Sequence, residues 1–337
     1  MISTKAAPSK RSTSTPTDLS SIPGQWSLLW KGFRRHRLGM IGLITFTLMV
    51  LAVIFVPIIS PDPYGKVNPD GTLWAAPMGT VDHSNGHVFL LGSDKIGRDN
   101  LALVFLAGRI SLTVAIIPTL LILIIGFVVG AATGYFGGWL DIIVMRIADF
   151  LLGIPILPAY ILVIRLIRDT STGPHFAEDW GAAFATIMIA FVLFGWMGVS
   201  RMVRGLVLSL RSQPFIEAAQ ALGSSAPRII FRHLLPNTIV PLLVAGMFAV
   251  GDFIIMEAML AYFGLGIRDT FHPTIVTWGN LLTSSQDQVW YMTNLNPFEQ
   301  IRGYLVLFPS ALLLITVLSI NFIGEALRDV LDPRRHS

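Results

Sequence analysis

The chain has 337 residues, of which 53% are hydrophobic and 13% are charged, and it contains no cysteine. Soluble globular domains carry about 25% charged residues, so this composition excludes an ordinary soluble domain and predicts a protein that crosses a membrane several times. The absence of cysteine excludes disulfides and thiolate metal sites. The net charge of +4 comes from basic residues beside apolar segments, which indicates membrane topology rather than nucleic-acid binding.

The N-terminal segment precedes the first apolar run. Residues 1–20 are rich in Ser, Thr and Pro and contain little that a core could bury, which predicts disorder. Residues 26–37 are basic, and Trp26 and Trp30 recur at helical spacing, which predicts a helix lying along the lipid surface. We therefore expect residues 1–37 to be a cytoplasmic tail that ends in an amphipathic, lipid-contacting segment.

Six apolar segments are each long enough to form a transmembrane helix. About 20 residues cross the ~30 Å of hydrocarbon, and helices satisfy their own backbone groups there. The segments lie at residues 38–59, 110–134, 140–164, 182–203, 238–262 and 304–324. The third contains Asp141, Arg146 and Asp149 near its start. The sequence thus predicts an all-α polytopic membrane protein with six transmembrane helices.

The distribution of Lys and Arg predicts the orientation of these helices. With the N-terminus inside, the inner segments contain twice as many of the 24 Lys and Arg residues as the outer ones, which is the bias expected of cytoplasmic loops. Residues 60–108 and 264–303 are then long external segments, which could contact an outside partner or simply cover helix ends. Residues 109–327 form the main domain of five helices, and residues 328–337 form a cytoplasmic tail.

The most specific pattern lies in the polar segment between the fourth and fifth apolar segments. Pro214 suits the first turn of a helix, where a missing N–H is tolerated. Phe215, Ala219 and Leu222 then share one helical face at i, i+4 and i+7. Gly223 follows at the position where a left-handed helix cap is needed. The pattern predicts a short helix that ends at this glycine.

The composition of this short helix suits contact with another protein. Glu217 lies near its start, where a carboxylate interacts favourably with the helix dipole, and Ala218 and Ala219 allow a partner surface to approach closely. A second helical stretch is expected to begin at Pro227 and to end before Pro236, which leads into the fifth transmembrane helix. An amphipathic loop lying on the bilayer is the alternative interpretation of these residues.

Five stretches together resemble one family. The first stretch spans residues 217–223, where Glu-Ala-Ala is followed after three residues by Gly, together with His-x-Leu-Pro at 233–236. The second is the turn at 91–99 with Ala-Gly-Arg-Ile-Ser-Leu at 107–112, and the third is Gly-Tyr-Phe-Gly-Gly-Trp-Leu-Asp at 134–141. The fourth is Glu257 with Tyr-Phe-Gly-Leu-Gly at 262–266, and the fifth is Leu-Asp-Pro-Arg at 331–334. This set is similar to the permease subunits of oligopeptide, dipeptide and nickel ABC importers. Ala261-Tyr262-Phe263 departs from the Ser-Phe-Leu that is usual there.

The resemblance implies an ATP-driven importer of peptides or related small solutes, in which this chain is the membrane-spanning subunit and not an enzyme. It implies two cytosolic ATP-binding subunits that carry ATP and Mg, a second homologous permease and an external substrate-binding protein, with no cofactor bound by this chain. The multi-pass chain would lie in the cytoplasmic membrane with both termini in the cytoplasm. The coupling loop that docks on an ATPase would comprise Phe215, Glu217, Ala218, Ala219, Leu222 and Gly223.

Two other functions are compatible with parts of the sequence. A secondary transporter driven by an ion gradient would need carboxylates and broken helices near the middle of the membrane. A membrane-anchored structural or receptor subunit would need no transport machinery at all. ATP dependence of uptake separates these alternatives from the importer.

Two carboxylates lie within the fifth apolar segment. Asp252 and Glu257 are ionisable groups in a membrane span, and such groups usually face a bundle interior or a water path. Either could line a translocation route and favour a cationic or amino-terminal group of the substrate. Glu257 could instead pair with an Arg at the membrane surface.

The sequence contains no convincing catalytic or metal-binding motif. Gly92 to Gly97 superficially matches a phosphate-binding loop, but Arg98 stands where Lys should follow the second glycine. We therefore expect a tight turn that leads into the second transmembrane helix. His83 and His87 form an i, i+4 pair, which offers too few ligands for a metal site.

Overall fold

The structure, a computed structural model, describes residues 25–59, 80–81, 88–170, 180–267, 275–291 and 303–331. Two short strands, β1 (Thr80–Val81) and β2 (Val88–Phe89), pair antiparallel. A π-helical turn lies at Ile230–Leu234. The helices are α1 (Gln25–Arg35), α2 (Arg37–Ile59), α3 (Asn100–Phe136), α4 (Gly138–Leu152), α5 (Ile156–Thr170), α6 (Trp180–Arg211), α7 (Pro214–Ala221), α8 (Ala226–Ile229), α9 (Leu235–Tyr262), α10 (Trp278–Tyr291) and α11 (Tyr304–Leu331).

Five stretches of helix are long and apolar enough to cross a membrane. Their mean hydropathy is high, and more than half of the residues in each apolar window are not buried inside the chain, so lipid or a partner must cover them. The predicted all-α polytopic membrane fold is confirmed. These stretches are Arg37–Ile58, Asn100–Phe136, Trp180–Arg211, Ala226–Tyr262 and Tyr304–Val330.

The third predicted transmembrane segment does not form one continuous helix. Helices α4 and α5 are bent by 95° at a short break, and they make a sixth crossing only if the bent pair counts as one span. Pro155 lies in this break, where it lacks the N–H for a helical hydrogen bond and disfavours a helical conformation of the residue before it. The unbroken span predicted for residues 140–164 is therefore wrong, because apolar content alone does not register the break.

The carboxylates of α4 are paired with arginines of α6. Arg204 donates two hydrogen bonds to the carboxylate of Asp141, and one of them is 2.6 Å long. Arg201 forms an ion pair with Asp149. An opposite charge on a neighbouring helix lowers the cost of placing each carboxylate in an apolar segment. The charges that distinguish the third predicted segment thus attach α4 to α6.

Helices α3 and α6 run parallel in close contact along a row of glycines. A methyl group added to Gly126 would lie 2.6 Å from Val199, and one added to Gly130 would lie 2.8 Å from Val203. Gly134 continues the row one turn further along α3. Lipid provides no hydrophobic force to drive membrane helices together, so the helices associate through close packing. Small residues at this spacing let the backbones approach closely enough for that packing. We call this contact the glycine seam.

Arg109 of α3 donates hydrogen bonds to backbone carbonyls near the end of α2. Pro57 has no N–H to donate to the carbonyl of Val53, four residues earlier in α2. The Arg109 side chain fills this role, with Nε 2.9 Å from the Val53 oxygen and Nη2 2.6 Å from the Ile54 oxygen. The arginine of the 107–112 stretch therefore joins the first two membrane helices.

The turn before α3 has the form that the glycines predict. Gly92 and Gly97 have φ angles of 79° and 74°, which residues with a side chain rarely adopt. Between them the Asp94 carboxylate accepts a hydrogen bond from the backbone N–H of Arg98 and forms an ion pair with the Arg98 guanidinium at 2.7 Å. Asp99 caps α3 through the N–H of Leu101. These contacts give the segment a structural role at the start of α3.

Candidate functional site

Helix α7 is the short helix predicted between the fourth and fifth apolar segments. It follows Gln213, whose extended backbone (φ −82°, ψ 143°) aims its carbonyl at the N–H groups of Ile216 and Glu217. Pro214 occupies the first helical position, where no partner for an N–H is needed. Glu217 lies in the first turn, as the sequence predicts.

Gly223 ends α7 in the left-handed conformation that the sequence predicts. Its φ is 74°, and its N–H donates to the carbonyl of Gln220 at 2.9 Å. The N–H of Ser224 donates to the carbonyl of Ala219 at 3.0 Å. This pair of hydrogen bonds is the Schellman motif, which satisfies the last carbonyls of a helix and turns the chain sharply.

The exposed face of α7 differs from the predicted one. Ile216 is fully buried and Ala219 is 8% exposed, so these two residues face the protein. Phe215 is 43% exposed and Leu222 is 88% exposed, and Ala218 lies between them at i+3 from Phe215. Assigning Ala219 to the outer face was therefore wrong, because Ile216 anchors the helix through the i, i+3 face. Glu217 and Gly223 are also exposed.

Contacts with the end of α3 hold α7 in place. Arg211, the last residue of α6, donates a hydrogen bond to the backbone carbonyl of Tyr135 at 3.1 Å. Gln220 of α7 lies 3.3 Å from the hydroxyl of the same tyrosine. Tyr135 belongs to the 134–141 stretch. No local pattern predicts this contact, because the paired residues are 76 and 85 positions apart.

The chain after Gly223 enters α9 without the predicted break before Pro236. Residues 226–262 form one long helical stretch. The Leu235 N–H donates to the carbonyl of Ile230, five residues back, which is the π-helical pattern. A wider turn at this point makes room for the proline ring inside the helix. The prediction of a break was wrong because the π turn accommodates the proline.

Helices α6 and α9 border an open groove on the side of α6 opposite the glycine seam. Two cavities of about 500 and 490 Å³ lie along it. Methyl groups added to Gly198 and Gly205 of α6 would meet nothing within 4 Å. The α9 residues that line the cavities recur at helical spacing along one face: Pro241, Ala245, Phe248, Asp252, Ile255 and Met259.

Asp252 lines the larger cavity, and it is the one charged side chain among the described residues that do so. Tyr160, Phe194 and Phe253 form an aromatic wall of the same cavity. Apolar and thioether side chains provide most of the remaining lining, including Met256. The structure therefore places Asp252 on the wall of the groove.

Glu257 lies elsewhere, although it is only five residues further along α9. Its side chain is 1% exposed, and a methyl group added to Gly279 would lie 3.3 Å from its Oε2. Glu257 does not line either cavity of the groove. None of the ion pairs found among the described residues involves it. Glu257 is thus packed between α9 and α10, and neither of the two roles considered from the sequence describes this position.

Most of the chain matches one known protein family. The family model described as binding-protein-dependent transport system inner membrane component matches residues 122–337. This match includes α7, Gly223 and both helices of the groove. The chain belongs to this family. A second model, the N-terminal TM domain of oligopeptide transport permease C, matches residues 24–77 of this inner membrane component.

Individual relatives are similar along nearly their whole length. A dipeptide transport system permease protein of Alkalihalophilus pseudofirmus is 32% identical over 96% of this chain and 94% of its own. Oligopeptide transport system permease proteins of Bacillus subtilis and Escherichia coli are also 32% identical, over 94% and 91% of this chain and 93% and 91% of theirs. The inner membrane component thus aligns with complete permease subunits rather than with a fragment of them.

Metal binding has no support in the described part of this inner membrane component. No group of three or more His, Asp or Glu side chains there could hold an ion. His83 and His87 lie outside the described residues. His233 lies in the π-helical turn, where its carbonyl accepts a hydrogen bond from Asn237 at 2.7 Å.

Proposed function

We propose that this chain is a permease subunit of an ATP-driven importer that moves peptides across the cytoplasmic membrane into the cell. The observation that carries the proposal is α7, a short helix held rigidly by its cap yet exposed along Phe215, Ala218 and Leu222. The relatives that align over nearly their full length are named as dipeptide and oligopeptide permeases, which supports peptides as the cargo.

The coupling loop, residues 215–223, docks on an ATP-hydrolysing subunit. Leu222 is a large apolar side chain that is 88% exposed beside Gly223, and exposed apolar groups in a fixed geometry suit a protein partner. Ala218 and Gly223 allow the partner surface to come close. ATP and Mg bind to two cytosolic partner subunits, so this chain carries no cofactor of its own and does no chemistry.

Movement of α7 reaches both helices of the groove. Two residues separate α7 from the end of α6, and four separate it from the helical stretch that continues into α9. A shift of the docked ATPase therefore acts on the two helices that border the groove, with the π turn at Ile230–Leu234 as a place where α9 can bend. Coupling between distant sites through a two-state element is the usual form of such a mechanism.

The groove between α6 and α9 is one half of the translocation route. A second permease of similar fold closes it, and an external binding protein delivers the substrate to the end of the bundle where α9 meets α10. The excess of Lys and Arg at the α7 end supports this orientation, with the coupling loop and both termini in the cytoplasm. Residues 60–108 and 264–303 then lie outside, where the binding protein docks.

The test compares two glycines with the same backbone conformation. Gly223 and Gly138 have φ angles of 74° and 61°, and an added methyl group at either would meet nothing within 4 Å. Gly223→Asp strains the cap of α7, whereas Gly138→Asp applies the same strain at the start of α4. The measurement is the membrane level of each variant and the amount of ATPase that co-purifies with it.

Gly223→Asp is expected to keep a near-normal membrane level and to lose most of its ATPase, whereas Gly138→Asp keeps both. Leu222→Glu should behave like Gly223→Asp without any change of backbone strain. Unchanged ATPase recovery in both loop variants would refute docking through this loop. Uptake into vesicles that persists without ATP and stops when the ion gradient is collapsed would point instead to a secondary transporter.

A further inference from the structure

We propose that the cavity beside Asp252 binds the protonated amine of the transported substrate. The cavity is then a cation-selective binding site on the translocation route. This inference rests on the proposed import function and names the chemistry of one site within it. The ligand is a primary ammonium group attached to an apolar body, as at the amino terminus of a peptide.

The cavity lies at the right depth and has the right size for such a binding site. Asp252 precedes the end of α9 at Tyr262 by ten residues, which is about 15 Å at the helical rise of ~1.5 Å per residue. Half of the hydrocarbon thickness is also about 15 Å, so with Tyr262 at the outer edge of the hydrocarbon Asp252 would lie near the middle of the membrane. The cavity of about 500 Å³ falls within the usual range for small-ligand sites.

The charge of Asp252 is not balanced within the described part of the chain. No described Lys, Arg or His lines the cavity, and the ion pairs found among the described residues join other side chains. None of the hydrogen bonds found there is donated to its carboxylate. By contrast, Arg204 and Arg201 neutralise Asp141 and Asp149 of α4. A carboxylate at this depth is costly unless a partner arrives, and a cationic ligand is such a partner.

The aromatic wall fits the apolar body of the ligand. The ring centroids of Tyr160 and Phe194 are 5.7 Å apart in an edge-on arrangement, and both rings line the cavity with Asp252. Phe253 also lines it and stacks on Phe191 at 4.5 Å, which fixes its position. These rings are almost fully buried, so they form a fixed apolar floor against which an uncharged side chain can pack.

The combined lining selects one end of a peptide. The α-amino group has an ordinary pKa of about 7.7–8.0 and is mostly protonated at neutral pH. Asp252 attracts this group and repels the peptide carboxylate, while methionines and aromatic rings accept apolar side chains of varied shape. A peptide would therefore occupy the cavity with its amino terminus beside Asp252. A lysine side chain offers the same ammonium chemistry, so the test distinguishes the two sources.

The experiment measures binding to the assembled importer without the external binding protein, so that the selectivity of that protein does not enter. Three probes are compared: trialanine amide, N-acetyltrialanine amide and N-acetyllysine amide. The first carries an α-ammonium group, the second carries no charge and the third carries only a side-chain ammonium group. Binding is read as a concentration-dependent rise in the melting temperature of the complex, because a ligand that binds only the folded state stabilises it.

Trialanine amide is expected to stabilise the wild-type complex, and N-acetyltrialanine amide is expected not to. Asp252→Asn should weaken the binding of trialanine amide by about tenfold or more, and Asp252→Glu should retain most of it. Stabilisation by N-acetyllysine amide identifies a general ammonium site, and its absence identifies a site for the amino terminus. Glu257→Gln, which alters a carboxylate outside the cavity, should bind like the wild type.

Two results would overturn the proposal: no preference of the wild type for trialanine amide over N-acetyltrialanine amide, or binding of trialanine amide by Asp252→Asn that equals the wild type. ATP-driven uptake is measured in parallel with the same preparations. ATP-driven uptake without a preference of this cavity for amines would refute the binding site but not the import function. Amine binding without ATP-driven uptake would refute the import function but not the binding site, so the two failures are distinct.

Discussion

The two sides of α6 differ in almost every respect that governs motion. On one side the glycine seam brings α6 against α3, and methyl groups added to Gly126 or Gly130 would overlap side chains of α6. On the other side a methyl group added to Gly198 or Gly205 would meet nothing within 4 Å. The same residue type thus serves close packing on the seam and leaves open space along the groove.

This difference indicates which parts of the permease move together. Helices α3, α4 and α6 are held by the glycine seam and by the ion pairs of Arg201 and Arg204, so they form one unit. Helix α9 borders the groove and begins beyond a π-helical turn at Ile230–Leu234. Densely packed contacts resist deformation, whereas an open groove can change width at little cost. We therefore expect the groove, and not the seam, to open and close during transport.

Filling the seam should have the largest effect on the protein. Gly130→Leu places a side chain where even a methyl group would lie 2.8 Å from Val203 and would overlap the Ser200 carbonyl oxygen. Overpacking of this kind costs about 1–3 kcal/mol and occasionally more, a large part of a total stability of about 5–15 kcal/mol. We expect a lower yield of folded Gly130→Leu protein than of the wild type, measured by size-exclusion chromatography of the solubilised chain.

The matched control for the seam is the same substitution in the groove. Gly205→Leu adds the same atoms to the open side of α6, where space is available. It should give folded protein at a near-normal level, although transport can suffer. Equal loss of both variants would show that the two sides of α6 are packed alike.

Most features that depend on neighbouring residues were predicted well from the sequence, although the bend at Pro155 and the continuous helix at Pro236 were not. Five membrane helices follow from runs of apolar residues, and the left-handed cap at Gly223 follows from one glycine after a short helical pattern. The tight turn at Gly92 and Gly97 was predicted on the same grounds. Each of these is a local property, and tertiary contacts did not overturn it.

Features that depend on distant residues were missed. Asp141 and Arg204 are 63 positions apart, so nothing near either residue predicts their pairing. The assignment of Ala219 to the exposed face failed because Ile216 anchors α7 against the protein. Asp252 and Glu257 gave the same signal as membrane carboxylates, and only the packing of α10 on α9 separates the cavity residue from the buried one.

Breaking the ion pairs beside the seam should have the next largest effect. In the Arg204–Asp141 pair the side chains are 31% and 17% exposed, and in the Arg201–Asp149 pair they are 51% and 54% exposed. Arg204→Ala should therefore lower the free energy of unfolding by about 1–3 kcal/mol, whereas Arg201→Ala should lower it by only about 0–1 kcal/mol. Thermal unfolding in detergent measures both variants. A larger loss in Arg201→Ala would mean that α4 is held mainly at its exposed pair.

Chemical labelling compares the two sides at one depth of the membrane. Met202 lines the groove, whereas its neighbour Val203 is fully buried against Gly130 of the seam. The chain has no cysteine, so single-cysteine variants give unambiguous labelling. Met202→Cys should react with a small maleimide about tenfold faster or more than Val203→Cys, because the seam must open before its residue can react.

The labelling rate should also depend on the state of the importer. If the groove opens and closes, ATP binding changes the rate at Met202→Cys and leaves the slow rate at Val203→Cys unaltered. A rate at Val203→Cys that responds to ATP as strongly as the rate at Met202→Cys would mean that the seam moves too. That result would contradict a rigid unit of α3, α4 and α6.

The smallest effect is expected from single methyl groups, where the sign rather than the size distinguishes the two sides. Alanine is favoured over glycine inside a helix by about 0.5–1 kcal/mol, because glycine loses more conformational freedom on folding. At Gly205 nothing opposes this gain, so Gly205→Ala should raise the melting temperature of the isolated chain slightly. At Gly130 the methyl group overlaps Ser200, and Gly130→Ala should lower the melting temperature despite the same helical preference. A rise in both variants would mean that α3 and α6 separate easily, and the seam could then not act as the rigid side of the permease.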